Sequence, residues 1–276
     1  MGIKSIVKRT INLFKEKEIV PIQHNVDANK ILKGQVALIT GGSGGIGFAI
    51  AKKFIQSGCR VIIAGTKEDK LKTCADELGI DCAYIILDLY NVSSFSNKIK
   101  EAELKFGNIS ILVNCAGIHI PRNDLAFLNI DEYEYDTIMD LNLKGTYFFS
   151  QNLAKRMIEE EIKGHILMIS SQSGLEPAWS PYRLSKWGIK ALTEGLGQSL
   201  LNYGITVNGI GPGPTATSMQ PYKKGNSIYT NQNPIRRYTM PEEIAEYAVL
   251  LTSSLGDTII GDTLYMSGGR GITEVR

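Results

Sequence analysis

At 276 residues the chain is long enough for one α/β domain with a sizeable buried core. Hydrophobic residues make up 43% and charged residues 21%, the balance of an ordinary globular protein in water. A formal charge of +2 argues against nucleic acid or a strongly acidic partner, and no apolar run reaches the roughly 20 residues that span a bilayer.

The first segment stands apart. In MGIKSIVKRTINLFKEKEIVPIQHN, Ile3, Ile6, Val7, Ile11 and Phe14 recur at helical spacing, with Lys4, Lys8, Arg9, Lys15 and Lys17 between them. This predicts a basic amphipathic helix ended by Pro21, followed by a linker to Lys33. Such a helix lies on a membrane surface, packs on its own domain or meets a second subunit. Membrane contact is not favoured, because one amphipathic helix without a second anchor binds lipid weakly.

From Gln35 onward, short β-branched runs alternate with helical patterns. VALIT (36–40), RVIIAG (60–65), AYIILDL (83–89) and ISILVN (109–114) read as strands, as do GHILMISS (164–171), GITVNGIGPG (204–213) and DTLYMSGG (262–269). Between them come IGFAIAKKFIQSG, KEDKLKTCADELG, SSFSNKIKEAELKFG, a helical stretch from about Ile130 to Glu160, the segment opening at Tyr182 and one after Pro241. The alternation predicts an α/β fold: a doubly wound, Rossmann-type parallel sheet of seven strands with helices on both faces, plus the N-terminal helical arm.

TGGSGGIG directly follows the first strand and opens the first helix. Thr40, Gly41, Gly45 and Gly47 give T-G-x-x-x-G-x-G, with Ser43 and Ile46 inside the turn. Glycines here let the backbone approach a pyrophosphate, whose charge rests at the helix N-terminus. No Gly-Lys-Ser/Thr ends the run, which argues for a dinucleotide rather than a nucleoside triphosphate. The expected organisation is an arm and linker over residues 1–33 and a dinucleotide-binding catalytic domain over 34–276. At the end of the second strand, where a carboxylate would bind the NAD ribose, stands Gly65, followed by Thr66 and Lys67. NADP(H) is therefore favoured over NAD(H), although Glu68 and Asp69 are close and Lys67 also fits a solvated helix start.

Cys59, Cys74, Cys82 and Cys115 fall at no metal-ligand spacing and read as reduced thiols of a cytoplasmic protein. His24, His119 and His165 are scattered, so structural roles are favoured, with His119 alternatively lining the pocket after the NCAG turn, and no metal site is expected. Thr217 to Thr239 lacks apolar periodicity and reads as a lid near the cofactor, with Lys223, Lys224, Arg236 and Arg237 open to an anionic substrate or simply solvated.

The glycine pattern, NCAG (Asn114 to Gly117), Asn142 in DLNLKG, ISS ending at Ser171, Tyr182-x-x-x-Lys186 and GPGPTAT (Gly211 to Thr217) occur in one order. Together they resemble the short-chain dehydrogenase/reductase family, single-domain branch, over roughly Leu32 to Gly269, with a loose similarity to 3-oxoacyl-acyl-carrier-protein reductases. The resemblance implies Tyr182 as general acid and base, with Lys186 one helical turn away and an oxidised nicotinamide lowering the phenol pKa. It implies that Lys186 also holds the nicotinamide ribose and that Ser171 donates to the substrate carbonyl, with Ser170 and Ser173 as alternatives. Asn142 would hold a proton-relay water. Asp88 and Leu89 would meet the adenine, with Asp88 alternatively a helix cap. Asn114, Ala116 and Gly117 would pass under the adenosine, and Pro212, Gly213 and Thr217 would bracket the nicotinamide. The Ser171–Tyr182 segment is about two residues shorter than the family's usual length, in a loop where such changes are tolerated.

The expected function is NADP(H)-dependent interconversion of a carbonyl and a secondary alcohol, 3-oxoacyl thioester reduction being one form of it. The alternatives are an NAD-dependent sugar or polyol dehydrogenase and a silent dinucleotide-binding sensor or scaffold. The expected partners are a small carbonyl or alcohol substrate and further copies of the chain, as a homodimer or homotetramer; no nucleic acid is expected.

Overall fold

The computed structural model describes residues 30–120, 126–217, 219–220, 222 and 225–271. The expected amphipathic helix and the lysines at 223 and 224 lie outside the described residues. Leu32 is fully buried and its N–H donates to the Ser57 carbonyl at 2.9 Å, so core packing already includes the end of the expected linker.

Seven strands are β1 (Val36–Thr40), β2 (Arg60–Gly65), β3 (Cys82–Ile86), β4 (Ile111–Asn114), β5 (Gly164–Ile169), β6 (Ile205–Pro212) and β7 (Thr263–Met266). They form one sheet in the order β3-β2-β1-β4-β5-β6-β7, and every pairing is parallel. Alternate side chains of each strand enter opposite layers. In β1, Val36 and Leu38 join one core and Ala37 and Ile39 the other. That is why the central strands read as unbroken apolar runs.

One layer holds α1 (Gly45–Gln56), α2 (Glu68–Leu78) and, near the C-terminus, α8 (Pro241–Leu251). The other holds α3 (Phe95–Phe106), α6 (Thr146–Glu159) and α7 (Pro181–Leu200). Short α4 (Ala126–Asn129) and α5 (Glu132–Met139) precede α6. The long helix expected over about 130–160 is interrupted: Asp140–Gly145 is π-helical, and the wider turn packs Asn142 inward. Such single π turns inside helices often mark functional sites.

Local chemistry starts α7 and α8. Ser180 accepts from the Arg183 N–H, and Pro181 occupies the first turn of α7, where a missing N–H costs nothing. Glu243 reaches back to the Met240 N–H at 2.8 Å and takes both Arg237 nitrogens at 2.7 Å, fixing the start of α8. Arg237, expected to meet an anionic substrate or to be simply solvated, is instead committed to an ion pair.

In the second layer Phe149 meets Phe95 edge to face, ring centroids 5.2 Å apart, and both are fully buried. Phe149→Ala removes this contact and leaves a cavity under the sheet. It is expected to lower unfolding free energy by about 3–5 kcal/mol, measured by urea denaturation.

Candidate active site

Strand order reverses between β1 and β4, and the crevice at their carboxyl ends is where an open α/β sheet takes a ligand. Thr40 ends β1 there. Its hydroxyl accepts from the N–H groups of Cys115 at 3.1 Å and Ala116 at 3.2 Å, tying the loop after β4 to β1. Gly41 follows with φ +64, and a Cβ on it would stand 2.8 Å from Ala116 Cα. Only glycine fits. A Cβ at Gly47 would collide with the Gly41 carbonyl, which is how α1 comes so close to the turn.

A cleft of about 360 Å³ opens above this turn. Of the residues expected to hold a dinucleotide, Thr40, Gly41, Ser43, Gly45, Ile46, Gly47, Thr66, Lys67, Asp88, Leu89, Ala116, Gly117 and Thr217 line it. Asn114 does not. It is buried beneath, donating to Ser150 Oγ at 2.9 Å, and it braces the sheet centre. Asp88 accepts from the Tyr90 N–H at 2.9 Å, a turn contact rather than a helix cap, and Oδ2 has no hydrogen bond among the described residues.

The cleft fits a dinucleotide on its own geometry. Gly44 precedes α1 with no side-chain cap and no acidic residue stands in the first turn, so the helix N-terminus presents bare N–H groups to an anion. A Cβ added at Gly65 would lie 4.0 Å from Ser43 Oγ, inside the space a ribose carboxylate partner would fill. Lys70, which the sequence did not single out, lines this corner beside Lys67. Glu68, a concern for phosphate binding, instead accepts from the Tyr84 hydroxyl at 3.4 Å.

Ile46, Cys115, Gly117, Thr217 and Met219 also line a second cleft of about 380 Å³, so the two are continuous. Ser171, Tyr182, Lys186, Pro212 and Gly213 meet there. The Ser171 hydroxyl is hydrogen-bonded to the Tyr182 phenol. Ser170 donates to the Lys186 carbonyl at 3.1 Å and so braces α7, while the Ser173 N–H donates to Ser171 Oγ at 3.1 Å. Asn142 is 2% exposed and lines neither cleft. Its amide instead clamps Ile118 on both sides, accepting from N–H at 2.8 Å and donating to the carbonyl at 2.9 Å, and also donates to Ser185 Oγ at 3.2 Å.

Burial sets the electrostatics. It raises the Tyr182 pKa, with the Ser171 hydrogen bond opposing and Glu176 adding to the rise. Burial also lowers Lys186 to about 8, with Cys115 opposing. The Lys186 ammonium lies 5.8 Å from the Tyr182 ring centroid and donates to the Ile169 carbonyl at 3.0 Å. Desolvation thus drives both groups toward neutrality.

His119 takes the less favoured of its two expected places. It lines the cleft with its ring centroid 4.5 Å from that of Tyr182, and burial, then Arg183, hold its pKa below the usual value. His165 is structural, paired with Thr206 at 2.6 Å. His24 lies outside the described residues. Gln172, Glu176, Arg183, Gln232 and Arg270 also line the cleft and carried no linear signal; Glu176 sits in the shortened loop and Arg270 lies 94 positions from it.

Residues 35–227 match the family described as short chain dehydrogenase. The chain belongs to the short-chain dehydrogenase family. It is 33% identical over 242 residues to the 3-oxoacyl-acyl-carrier-protein reductase of Rickettsia prowazekii (strain Madrid E), covering 86% of this chain and 97% of that protein. Among solved structures it is similar to a gluconate 5-dehydrogenase from Burkholderia cenocepacia J2315 in complex with NADP and tartrate, with TM-score 0.81 and 27% identity over 90% of this chain and 100% of that one. A 3-ketoacyl-acyl-carrier-protein reductase from Brucella melitensis complexed with NADH gives TM-score 0.78 and 28% identity over 87% and 100%. As a short-chain dehydrogenase the chain is a nicotinamide-dependent oxidoreductase. No helix among the described residues is long and apolar enough to cross a membrane.

Thr40→Val keeps side-chain shape and removes the acceptor of two loop N–H groups. It is expected to cost about 1–3 kcal/mol of stability and to weaken dinucleotide binding, read by urea denaturation and by nucleotide fluorescence titration.

Proposed function

We propose that this short-chain dehydrogenase interconverts a carbonyl and a secondary alcohol with NADP(H), and that Tyr182 is its general acid and base. The observation that carries the reading is the hydrogen-bonded Ser171–Tyr182 pair in a cleft continuous with the dinucleotide crevice. When bound, the nicotinamide supplies or accepts the hydride. Tyr182 gives its proton to the substrate oxygen in reduction and takes it back in oxidation. Ser171 donates to the same oxygen and holds it beside the phenol. Lys186 meets the nicotinamide ribose and, when charged, favours the phenolate. Asn142 fixes Ile118 and Ser185 at the base of this group and acts as a positioning residue.

Pyrophosphate binding falls to the start of α1, adenine binding to Asp88 and Leu89, and the nicotinamide wall to Pro212, Gly213 and Thr217. Preference for NADP(H) is supported by Ser43, Thr66, Lys67 and Lys70 around a corner without a carboxylate at Gly65. The neighbours' complexes include both NADP and NADH, so the corner chemistry carries this part. Assembly into a homodimer or homotetramer belongs to the same reading. It is supported by exposed apolar side chains such as Leu104 on α3 and Tyr133 on α5, which a second copy would cover.

Tyr182→Phe is expected to abolish turnover on a carbonyl panel while leaving NADPH fluorescence binding within about threefold; retained turnover would overturn the assignment. Oxidation needs the phenolate and the phenol pKa is raised, so alcohol oxidation should climb steadily from about pH 6 to about pH 10. Reduction needs the phenol, whose pKa is raised, and should hold level up to about pH 10 before it falls. Lys67→Ala should raise the KM for NADPH about tenfold or more and that for NADH less than about threefold.

A further inference from the structure

One wall of the catalytic cleft is charged, which proton transfer alone does not require. Glu176 stands between two arginines: Arg183 Nη2 lies 3.0 Å from Oε2 and Arg270 Nε lies 2.8 Å from Oε1. The carboxylate is 12% exposed, so the triplet is a largely desolvated group of net positive charge. Both guanidinium groups are held from outside the triplet. Arg183 donates to the Pro177 carbonyl at 2.8 Å and lies 5.2 Å from the Trp179 ring centroid; Arg270 donates to the Gln232 carbonyl at 3.2 Å. Arg270 Nη2 has no hydrogen bond among the described residues. Gln172, 6% exposed, adds a buried Oε1 with no donor. All of these side chains line the cleft that holds Tyr182 and Ser171.

We propose that this wall selects a short hydroxylated carboxylic acid, of roughly four to six carbons, or its keto form. Arg270, beside Arg183, takes the carboxylate, and Gln172 Oε1 takes a hydroxyl beyond the reacting carbon. The inference rests on the carbonyl–alcohol reading and names the substrate class of that reaction. The triplet keeps one net positive charge and a free Arg270 Nη2 at the cleft wall, and Gln172 keeps a buried acceptor without a donor; an anion and a hydroxyl on one small molecule complement both. An acyl thioester carries no carboxylate for the net charge and would leave Gln172 Oε1 unpaired, a condition that penalises a wrong substrate. A separate groove of about 300 Å³ lies beyond Trp179, lined by Phe127, Ile130, Tyr135 and Leu184 among others.

The test is steady-state turnover by the full chain with NADP+ or NADPH on short hydroxy and keto acids, their neutral polyol and ketone counterparts, and acetoacetyl thioester. The best acid is expected to exceed its neutral counterpart and the thioester by about tenfold or more in kcat/KM. Arg270→Gln should raise the acid KM about tenfold with kcat within about threefold, and Arg270→Lys should recover part of the loss. Tryptophan fluorescence should change saturably as the acid is added, and Trp179→Phe should remove that change. If Arg270→Gln fails to bind NADPH, Gln172→Leu replaces it, with the same rise in acid KM expected. A preference for the thioester or the neutral compound, or an acid KM unmoved by these substitutions, overturns this inference and leaves the carbonyl–alcohol reading standing. No turnover of any carbonyl or alcohol by protein that binds NADPH overturns that reading and this inference with it.

Discussion

Two backbone N–H groups converge on the hydroxyl of Thr40, and the rest of the site is built outward from that point. The bond fixes the loop after β4 over the crevice where strand order reverses. Gly41 then packs against Ala116, and Ile118 is placed for the Asn142 amide to grip both its backbone groups. Asn142 continues to Ser185, whose hydroxyl donates to the Tyr182 carbonyl at 2.7 Å. One chain of hydrogen bonds and close packing therefore runs from the first strand to the helix that carries the phenol. Each buried member would lose a partner if its neighbour moved, so the crevice and the proton-transfer group are held in register.

The same burial that makes this network rigid sets its electrostatics. Tyr182 is driven toward its neutral form and Lys186 toward its own, because desolvation opposes charge on either. A phenol that keeps its proton suits donation to a carbonyl. In the reaction proposed above, the reverse step would draw on positive charge near the ring, from Lys186 when charged and from an oxidised nicotinamide.

Much of the architecture was legible in the residues. Apolar runs of four to eight residues between amphipathic segments mark strands buried on both faces, and the glycine turn marks the crevice because only glycine tolerates its conformation and its packing. The Tyr182 and Lys186 pair was visible because one helical turn fixes their separation. The π turn at Asn142 was not, since no residue type or spacing within DLNLKG marks a π turn. Arg237 was read as a free cation, and only the fold brings Glu243 to it.

By itself, then, the sequence determined the layered sheet, the glycine turn that opens the crevice and the placing of Tyr182 and Lys186 one helical turn apart. Each of these follows from spacing within one element or across one turn. The tertiary structure alone decided that His119 lies against the phenol, that Asn114 and Asn142 brace the site from beneath its surface, and that Glu176, Arg183 and Arg270 share one wall. Those groups come from separate loops and helices, and their distances depend on how the two helical layers close over the sheet, which no local pattern encodes.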